Sequence, residues 1–406
     1  MVKIKYTRIE GRSSGYFAFM LVSALVASLL PISALVLFSQ GHEVTGMTNQ
    51  VPWGMPIVMA IYLIGASAGS LVLSSMSTVF GKTEYKPFAR LASMLAVVLI
   101  VAALMAIILD WGRPDRVMVP FFHFQPRSMF SLNAILYNAY MGIGFLYLLA
   151  LFNENEAWAK RLGLAAVVIA VGVHSGTGAI FGFVYVRELY NSPLLPPSFI
   201  AAALSSGTAL MIIVLKYTFE ATGRKLDENY ILGLGKLMGI FILVVIYLIF
   251  IENVTRSYAP KNYEASSFLL LHGGKFTFYF WAGLIGVGLV APAAIVLNSS
   301  TGASVKWIMA AAWMQLLGVL MERYLIVIPA QILPLELLPG METSSVFLDG
   351  QFATYSVSAL EWTYSIGLFG VVAFVYGLAI RLWPMLPEEA VLEKPAAVPE
   401  SVEQQG

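Results

Sequence analysis

Phe88-Ala-Arg-Leu-Ala-Ser-Met-Leu-Ala-Val-Val-Leu-Ile-Val-Ala-Ala-Leu-Met-Ala-Ile-Ile-Leu109 carries a single charge, Arg90, close to its start. No apolar stripe alternates with a polar one, so the segment is hydrophobic on every side, as a helix in lipid must be. About 20 such residues span a hydrocarbon core of roughly 30 Å. Stretches of this kind recur along the chain: Gly15 to Phe38, Gly54 to Phe80, Phe88 to Leu109, Arg127 to Phe152, Lys160 to Gly182, Pro196 to Tyr217, Tyr230 to Ile251, Phe268 to Leu297, Ser304 to Ile328 and Val357 to Leu382. The reading is an all-α polytopic membrane protein of about ten transmembrane helices. A transmembrane barrel is excluded, because its strands alternate polar and apolar residues.

Composition agrees. Of 406 residues, 59% are hydrophobic and 12% charged, against about 45–50% and about 25% in soluble proteins. A net charge of +1 provides no basic surface for nucleic acid. There is no cysteine, which removes disulfides, thiolate-bound zinc and iron–sulfur clusters held by this chain. Of four histidines, His42, His123 and His272 fall in or beside loops, so a transmembrane haem pair, which needs facing axial ligands, is not expected. No metal or other bound cofactor is expected on this chain.

Lysine and arginine divide about two to one between the two sets of loops, and the positive-inside rule then puts both termini in the cytoplasm. The first apolar run is longer than the 7–15 residues of a signal peptide, so it reads as a retained helix. The expected organisation is a cytoplasmic N-terminus over 1–14, a ten-helix domain over 15–385 and a disordered cytoplasmic tail over 386–406. Helices two to five and six to nine suggest two four-helix bundles with flanking helices, though no internal repeat is visible. Asp110 to Pro126 and Pro329 to Phe352 are the longer loops, both outer, and the second is too apolar for a free linker. A large partner is therefore expected on the outside.

Ionisable side chains inside a bilayer cost about 2.5 kcal/mol or more, so the few present carry weight. His174 lies two-thirds of the way outward along helix five, within Val173-His-Ser-Gly-Thr-Gly178. It can be the proton acceptor for a hydroquinone, or a polar contact between helices. Asp110 and Arg113 close helix three and can pair there, serving either a ligand or an interfacial anchor. Asn133 and Tyr137 share a face of helix four and offer two hydrogen bonds to one ligand or to a neighbouring helix. Glu322, Arg323 and Glu361 form either a proton path or a structural charge cluster.

Asp110-Trp-Gly-Arg-Pro114, the segment Tyr190-Asn-Ser-Pro-Leu-Leu-Pro-Pro-Ser-Phe199 followed by Ala203-Leu-Ser-Ser-Gly207, and Glu322-Arg-Tyr324 with Pro329 resemble the polysulfide-reductase membrane-subunit family of the NrfD/PsrC type, in its ten-helix HybB/DsrP-like branch. The resemblance spans about residues 15 to 385. It implies a cofactor-free inner-membrane subunit of a respiratory redox complex that oxidises menaquinol, or reduces the quinone, near the outer face. It further implies electron exchange with an extracytoplasmic, ferredoxin-like iron–sulfur subunit, and further redox subunits such as a cytochrome. His174 and Asp110 would then handle protons, with Asn133, Tyr137, Ser175 and Arg113 around the ring. One departure is Ser128-Met-Phe-Ser-Leu-Asn133, where eight-helix members carry a Met-Ser-Trp-Gly type sequence. A secondary transporter and a passive membrane anchor are the alternatives.

Overall fold

The computed structural model describes residues 4–335 and 350–390. Among these, ten helices are long and apolar enough to cross a membrane: α1 (Ser14–Gln40), α2 (Met55–Ser75), α3 (Ala89–Asp110), α4 (Met129–Phe152), α5 (Glu156–Gly182), α6 (Leu195–Thr222), α7 (Glu228–Tyr258), α8 (Lys275–Leu297), α9 (Val305–Ile332) and α10 (Ala359–Leu382). Their starts are set locally. The side chains of Ser13, Ser128, Asn155, Asp227 and Ser358 each accept a hydrogen bond from a first-turn N–H, filling donors that helix geometry leaves open. Gly223, in the left-handed region at φ 65°, ends α6.

Helices α2–α5 pack as one bundle and α6–α9 as a second, while α1 pairs with α10, which lies along α2 and α3. Buried tyrosines of α4 hold the first bundle. The Tyr140 hydroxyl meets Ser67 Oγ at 2.9 Å, and the Tyr147 hydroxyl donates to the Ser74 carbonyl at 3.0 Å. Between bundles, α2 and α6 meet at Gly69 and Gly207, where a Cβ on either would strike the other helix's backbone. Two glycines facing each other let the backbones touch, the usual route to close helix contact in lipid.

The ten crossings return both described ends of the chain to one face, called here the terminal face. Strand β1 (Tyr6–Thr7) pairs antiparallel with β3 (Leu386–Pro387), and β2 (Lys225–Leu226) pairs parallel with β4 (Glu389–Ala390). Residues 386–390, expected to be the start of a disordered tail, are instead held by backbone hydrogen bonds, with Leu386 and Ala390 buried. Residues 391–406 lie outside the described part. Arg90 locks this clasp. Its guanidinium sits 3.9 Å from the Tyr6 ring centroid, donates to the Pro384 carbonyl at 3.3 Å and pairs with Glu154 at 3.3 Å.

Two helix boundaries depart from the sequence expectation. The α8 segment does not run unbroken from Phe268, because Gly273 and Gly274 interrupt it, the latter at φ 59°. α7 continues past Ile251 to Tyr258, which draws Glu252 and Arg256 into the packed protein. The pairing of these two charges one turn apart removes the penalty that made Ile251 look like the end.

Candidate functional site

His174 is 2% exposed, deep in the half of α5 away from the terminal face. Its Nδ1 lies 2.9 Å from the Ala170 carbonyl. A carbonyl can only accept, so Nδ1 carries a hydrogen, and in the neutral form of the ring the lone pair is at Nε2. That Nε2 is buried with no hydrogen-bond partner among the described residues. The ring lies by the Ile64 backbone of α2 and within electrostatic reach of Arg323 on α9, so it sits where the two bundles meet.

Asn133 and Tyr137 share a face of α4, as their spacing predicts, and both meet α5. The Tyr137 hydroxyl is 2.8 Å from Thr177 Oγ1, which itself donates to the Val173 carbonyl at 2.7 Å, so Tyr137 is the donor of the pair. Asn133 Nδ2 donates to the Met129 carbonyl at 2.7 Å, and its unpartnered Oδ1 packs on Gly176. Two residues along a helix are turned by about 200°, so His174 points nearly opposite to Gly176. The structure therefore packs Asn133 on the side of α5 turned away from His174, and Tyr137 on Thr177, only about 60° round the helix from His174, with Ser175 half-buried between. Residues grouped by sequence are thus spread around α5 rather than gathered on one face.

Arg323 is fully buried, its guanidinium 3.9 Å above the Phe199 ring centroid of α6. The ion pair with Glu322 is long, 3.8 Å, and Nε, Nη1 and Nη2 all lack hydrogen-bond partners among the described residues, as does Glu322 Oε2. Phe199 stacks on Phe181, which with Tyr190 surrounds Trp53 at the start of α2. Gln331 ties the aromatic cluster to α9. Its Oε1 accepts from the Trp53 N–H at 3.0 Å, and its Nε2 donates to the Trp53 carbonyl at 2.9 Å. The Tyr190 hydroxyl donates to the Val327 carbonyl at 2.6 Å.

Glu361 stands apart from that pair. Its Oε2 accepts from the N–H groups of Gly46 at 2.9 Å and Ser358 at 2.8 Å, and its Oε1 from the Tyr355 hydroxyl at 2.6 Å and the Met55 N–H at 3.2 Å. The carboxylate thus knots the α1–α2 connection to the starts of α2 and α10. Burial and this carboxylate hold the Tyr355 phenol above its ordinary range, so it donates rather than ionises. Tyr355 also borders an open cavity of about 350 Å³ with Thr48, Lys275 and Ile332. Asp110 lies near Glu361, with its Oδ1 buried and without a hydrogen-bond partner among the described residues. The expected Asp110–Arg113 pair does not form. Trp111 leaves the helix extended, and the exposed Arg113 is bidentate to Asp115 at 2.8 and 2.9 Å. Arg113 is thereby a surface residue away from the buried groups.

Glu252, Arg256, Gln315 and Gln331 are functional-site neighbours that sequence reading passed over. The signal was present for the first two, since Glu and Arg four apart at the end of an apolar run can pair within a helix. Among the described residues no three His, Asp or Glu side chains converge as a metal would need.

Residues 43–334, most of both bundles, match the protein family described as Polysulphide reductase, NrfD. The chain belongs to the NrfD family. The first half of this NrfD-family chain supplies His174 and Asn133, and the second supplies Arg323. It is 38% identical over 392 residues to the Hdr-like menaquinol oxidoreductase integral membrane subunit of Archaeoglobus fulgidus, covering 96% of this chain and 98% of the relative. It is 30% identical to a selenate reductase subunit of Mesobacillus selenatarsenatis, covering 91% and 94%. A more distant NrfD-type relative is the menaquinone reductase integral membrane subunit of Nitratidesulfovibrio vulgaris, 22% identical over 89% of this chain and 90% of the relative. The ten apolar helices and these matches make the chain a multi-pass integral membrane protein of the NrfD type.

Proposed function

We propose that the chain is the quinol-interacting membrane subunit of a respiratory oxidoreductase complex. It takes electrons from menaquinol, or returns them to the quinone, and exchanges them with an iron–sulfur subunit docked on the face opposite the termini. That face is the extracytoplasmic one of a cytoplasmic membrane, with both termini in the cytoplasm. A cytochrome subunit further along the chain of carriers fits the same scheme. Two relatives named for menaquinol or menaquinone chemistry support the reading over transporter and passive-anchor alternatives.

The observation that carries it is His174: an imidazole fixed through Nδ1, with Nε2 lacking a hydrogen-bond partner among the described residues, buried where the bundles meet. A quinol gives up two protons with its two electrons, and such a nitrogen is what can receive a proton in an apolar setting. Asp110, half-buried at the distal end of α3 with its Oδ1 buried and without a hydrogen-bond partner among the described residues, is the second proton acceptor. Asn133 and Tyr137 also pack on α5, and of the two only Asn133 Oδ1 lacks a hydrogen-bond partner, which a ligand hydroxyl can supply. Replacing His174→Ala in the assembled complex should reduce quinol-dependent electron transfer by about a hundredfold or more, and Asp110→Asn should slow it too. Full activity in both variants would overturn the assignment. Quinone retained by purified wild-type complex, and its loss from Asn133→Leu, is the companion binding test.

A further inference from the structure

On the terminal face the chain turns from β1 into α1, and the turn rests on the end of α10. The Ile9 N–H donates to the Ile380 carbonyl at 3.1 Å. Gly11 follows at φ 64°, in the left-handed region that favours glycine. A Cβ there would lie 2.9 Å from Arg381 Cδ, 3.0 Å from Arg381 Nε and 3.1 Å from the Tyr16 ring. The turn is bare at this point because the stem of Arg381 crosses it. The Tyr16 hydroxyl donates to the Gly377 carbonyl of α10 at 3.2 Å, and the Arg381 guanidinium carbon stands 5.6 Å from the centroid of that ring. Stem and head of Arg381 are thus both positioned, by a glycine and by a tyrosine that is itself tied to α10. Its charge is left uncompensated. Among the described residues no carboxylate pairs with Arg381, nor with Arg12 one residue past the turn glycine, and both are exposed. Of the acidic residues nearby in the β1 and β3 segments, Glu388 is taken by Lys5, and the exposed Glu10 forms no ion pair among the described residues. A cation in the last turn of α10 complements the helix dipole, which would explain a base there but not a stem laid across a glycine. The surroundings are those of a membrane boundary: Phe17, Leu382 and Trp383 are exposed at the ends of two helices that can cross a bilayer, the level at which aromatic side chains meet lipid headgroups.

We propose that Arg381, together with Arg12, binds the phosphate of an anionic phospholipid in the leaflet at the terminal face. The fork of the Arg381 guanidinium offers two parallel N–H donors to two phosphate oxygens. Arg12 adds a second positive charge, and the exposed Phe17, Leu382 and Trp383 give the acyl chains an apolar wall. Two cations with no paired carboxylate favour a lipid of net negative charge over one whose phosphate carries its own ammonium. The consequence is mechanical. The Gly11 turn joins β1, which pairs with β3, to α1, which pairs with α10, so a lipid held here fastens the clasp of the two chain ends to the bilayer. This contact lies at the opposite end of the protein from the proposed docking face and does not depend on the chemistry at His174.

The test uses the assembled complex in phosphatidylcholine nanodiscs doped with phosphatidylglycerol that carries a photo-crosslinker on its headgroup, and the labelled peptides are mapped by mass spectrometry. Label should fall on residues 10–17 and 377–383. Arg381→Gln should weaken it by about fivefold and Arg12→Gln/Arg381→Gln by about twenty-five-fold, the factors that about 1 kcal/mol per basic residue gives. Arg381→Lys keeps the charge but loses the fork, and should fall between wild type and Arg381→Gln. Phosphatidylglycerol should also raise the thermal midpoint of the wild-type complex above that in phosphatidylcholine alone, and by less in the double variant. Because both arginines are exposed, the variants should fold and keep wild-type quinol turnover, a readout separate from lipid labelling. Equal labelling of these segments in the double variant, or equal labelling by a phosphatidylcholine probe of the same design, would overturn the site. Displacement of the label by inorganic phosphate at constant ionic strength would make the ligand a free anion and overturn the lipid assignment.

Discussion

Glu361→Gln separates a structural carboxylate from a proton carrier. In the native protein the two oxygens accept four hydrogen bonds, from Gly46, Ser358, Tyr355 and Met55, at 2.6 to 3.2 Å. An amide keeps one acceptor oxygen and turns an NH2 group toward the other two donors. Two charge-assisted bonds are lost, each worth about 1.5–3 kcal/mol, and two N–H groups or an N–H and a hydroxyl then face a donor in a site with 0% exposure. Tyr355 can rotate away and recover part of this, which leaves about 3–5 kcal/mol, in the range for breaking a buried charged contact. The assay is thermal unfolding of the detergent-solubilised complex, with quinol turnover measured per folded molecule. The midpoint should fall by several degrees and the α1–α2 connection should become sensitive to protease, while turnover of the surviving fraction stays near wild type. An unchanged midpoint with turnover lost would refute this reasoning and return Glu361 to the proton path.

The clasp on the terminal face gives a second prediction. Arg90→Ala removes a buried guanidinium that touches Tyr6, Pro384 and Glu154, and should release the last described residues to carboxypeptidase and lower the unfolding midpoint, with Lys5→Ala as an exposed control of little effect. A third concerns pH. Burial holds the half-buried His42, in the α1–α2 connection, below the ordinary histidine range, with Glu361 acting the other way. The unfolded chain therefore takes up this proton more readily than the folded one, so the contribution is present above about pH 6.5 and fades as pH falls below it. His42→Gln should flatten the loss of thermal stability between about pH 7 and pH 5; an identical profile in the variant would remove His42 as its source.

The ten helices were legible because a run such as Phe88 to Leu109 has one physical solution in lipid. Each backbone polar group must bond within the helix, and the length then fixes one crossing. That His174, Glu322 and Arg323 would need an explanation was legible too, from the cost of placing such groups in an apolar segment, and all three are buried. Where these residues point was not. Asn133 and His174 read as one site through the family resemblance, yet Asn133 packs on Gly176, on the side of α5 turned away from His174. Arg113 read as a partner for Asp110 by spacing alone, but the extended Trp111 carries it to the surface and to Asp115. Glu252 and Arg256 read as loop residues because an isolated charge ends an apolar run, and only their pairing within α7 makes burial tolerable.

The sequence by itself determined that this chain is a ten-helix membrane protein whose own side chains include no thiolate to hold an iron–sulfur cluster. Those are properties of length, hydropathy and residue type, which do not depend on neighbours. The tertiary structure alone decided which polar groups are satisfied. Glu361 and Glu322 are the same residue type, and both are buried. One meets four donors, two from the distant stretch holding Gly46 and Met55 and two from Tyr355 and Ser358 just before it; the other meets a guanidinium held too far away to hydrogen-bond. That difference is made by packing between helices, and it is what turns Glu361 into a knot and leaves Glu322 Oε2 without a hydrogen-bond partner among the described residues.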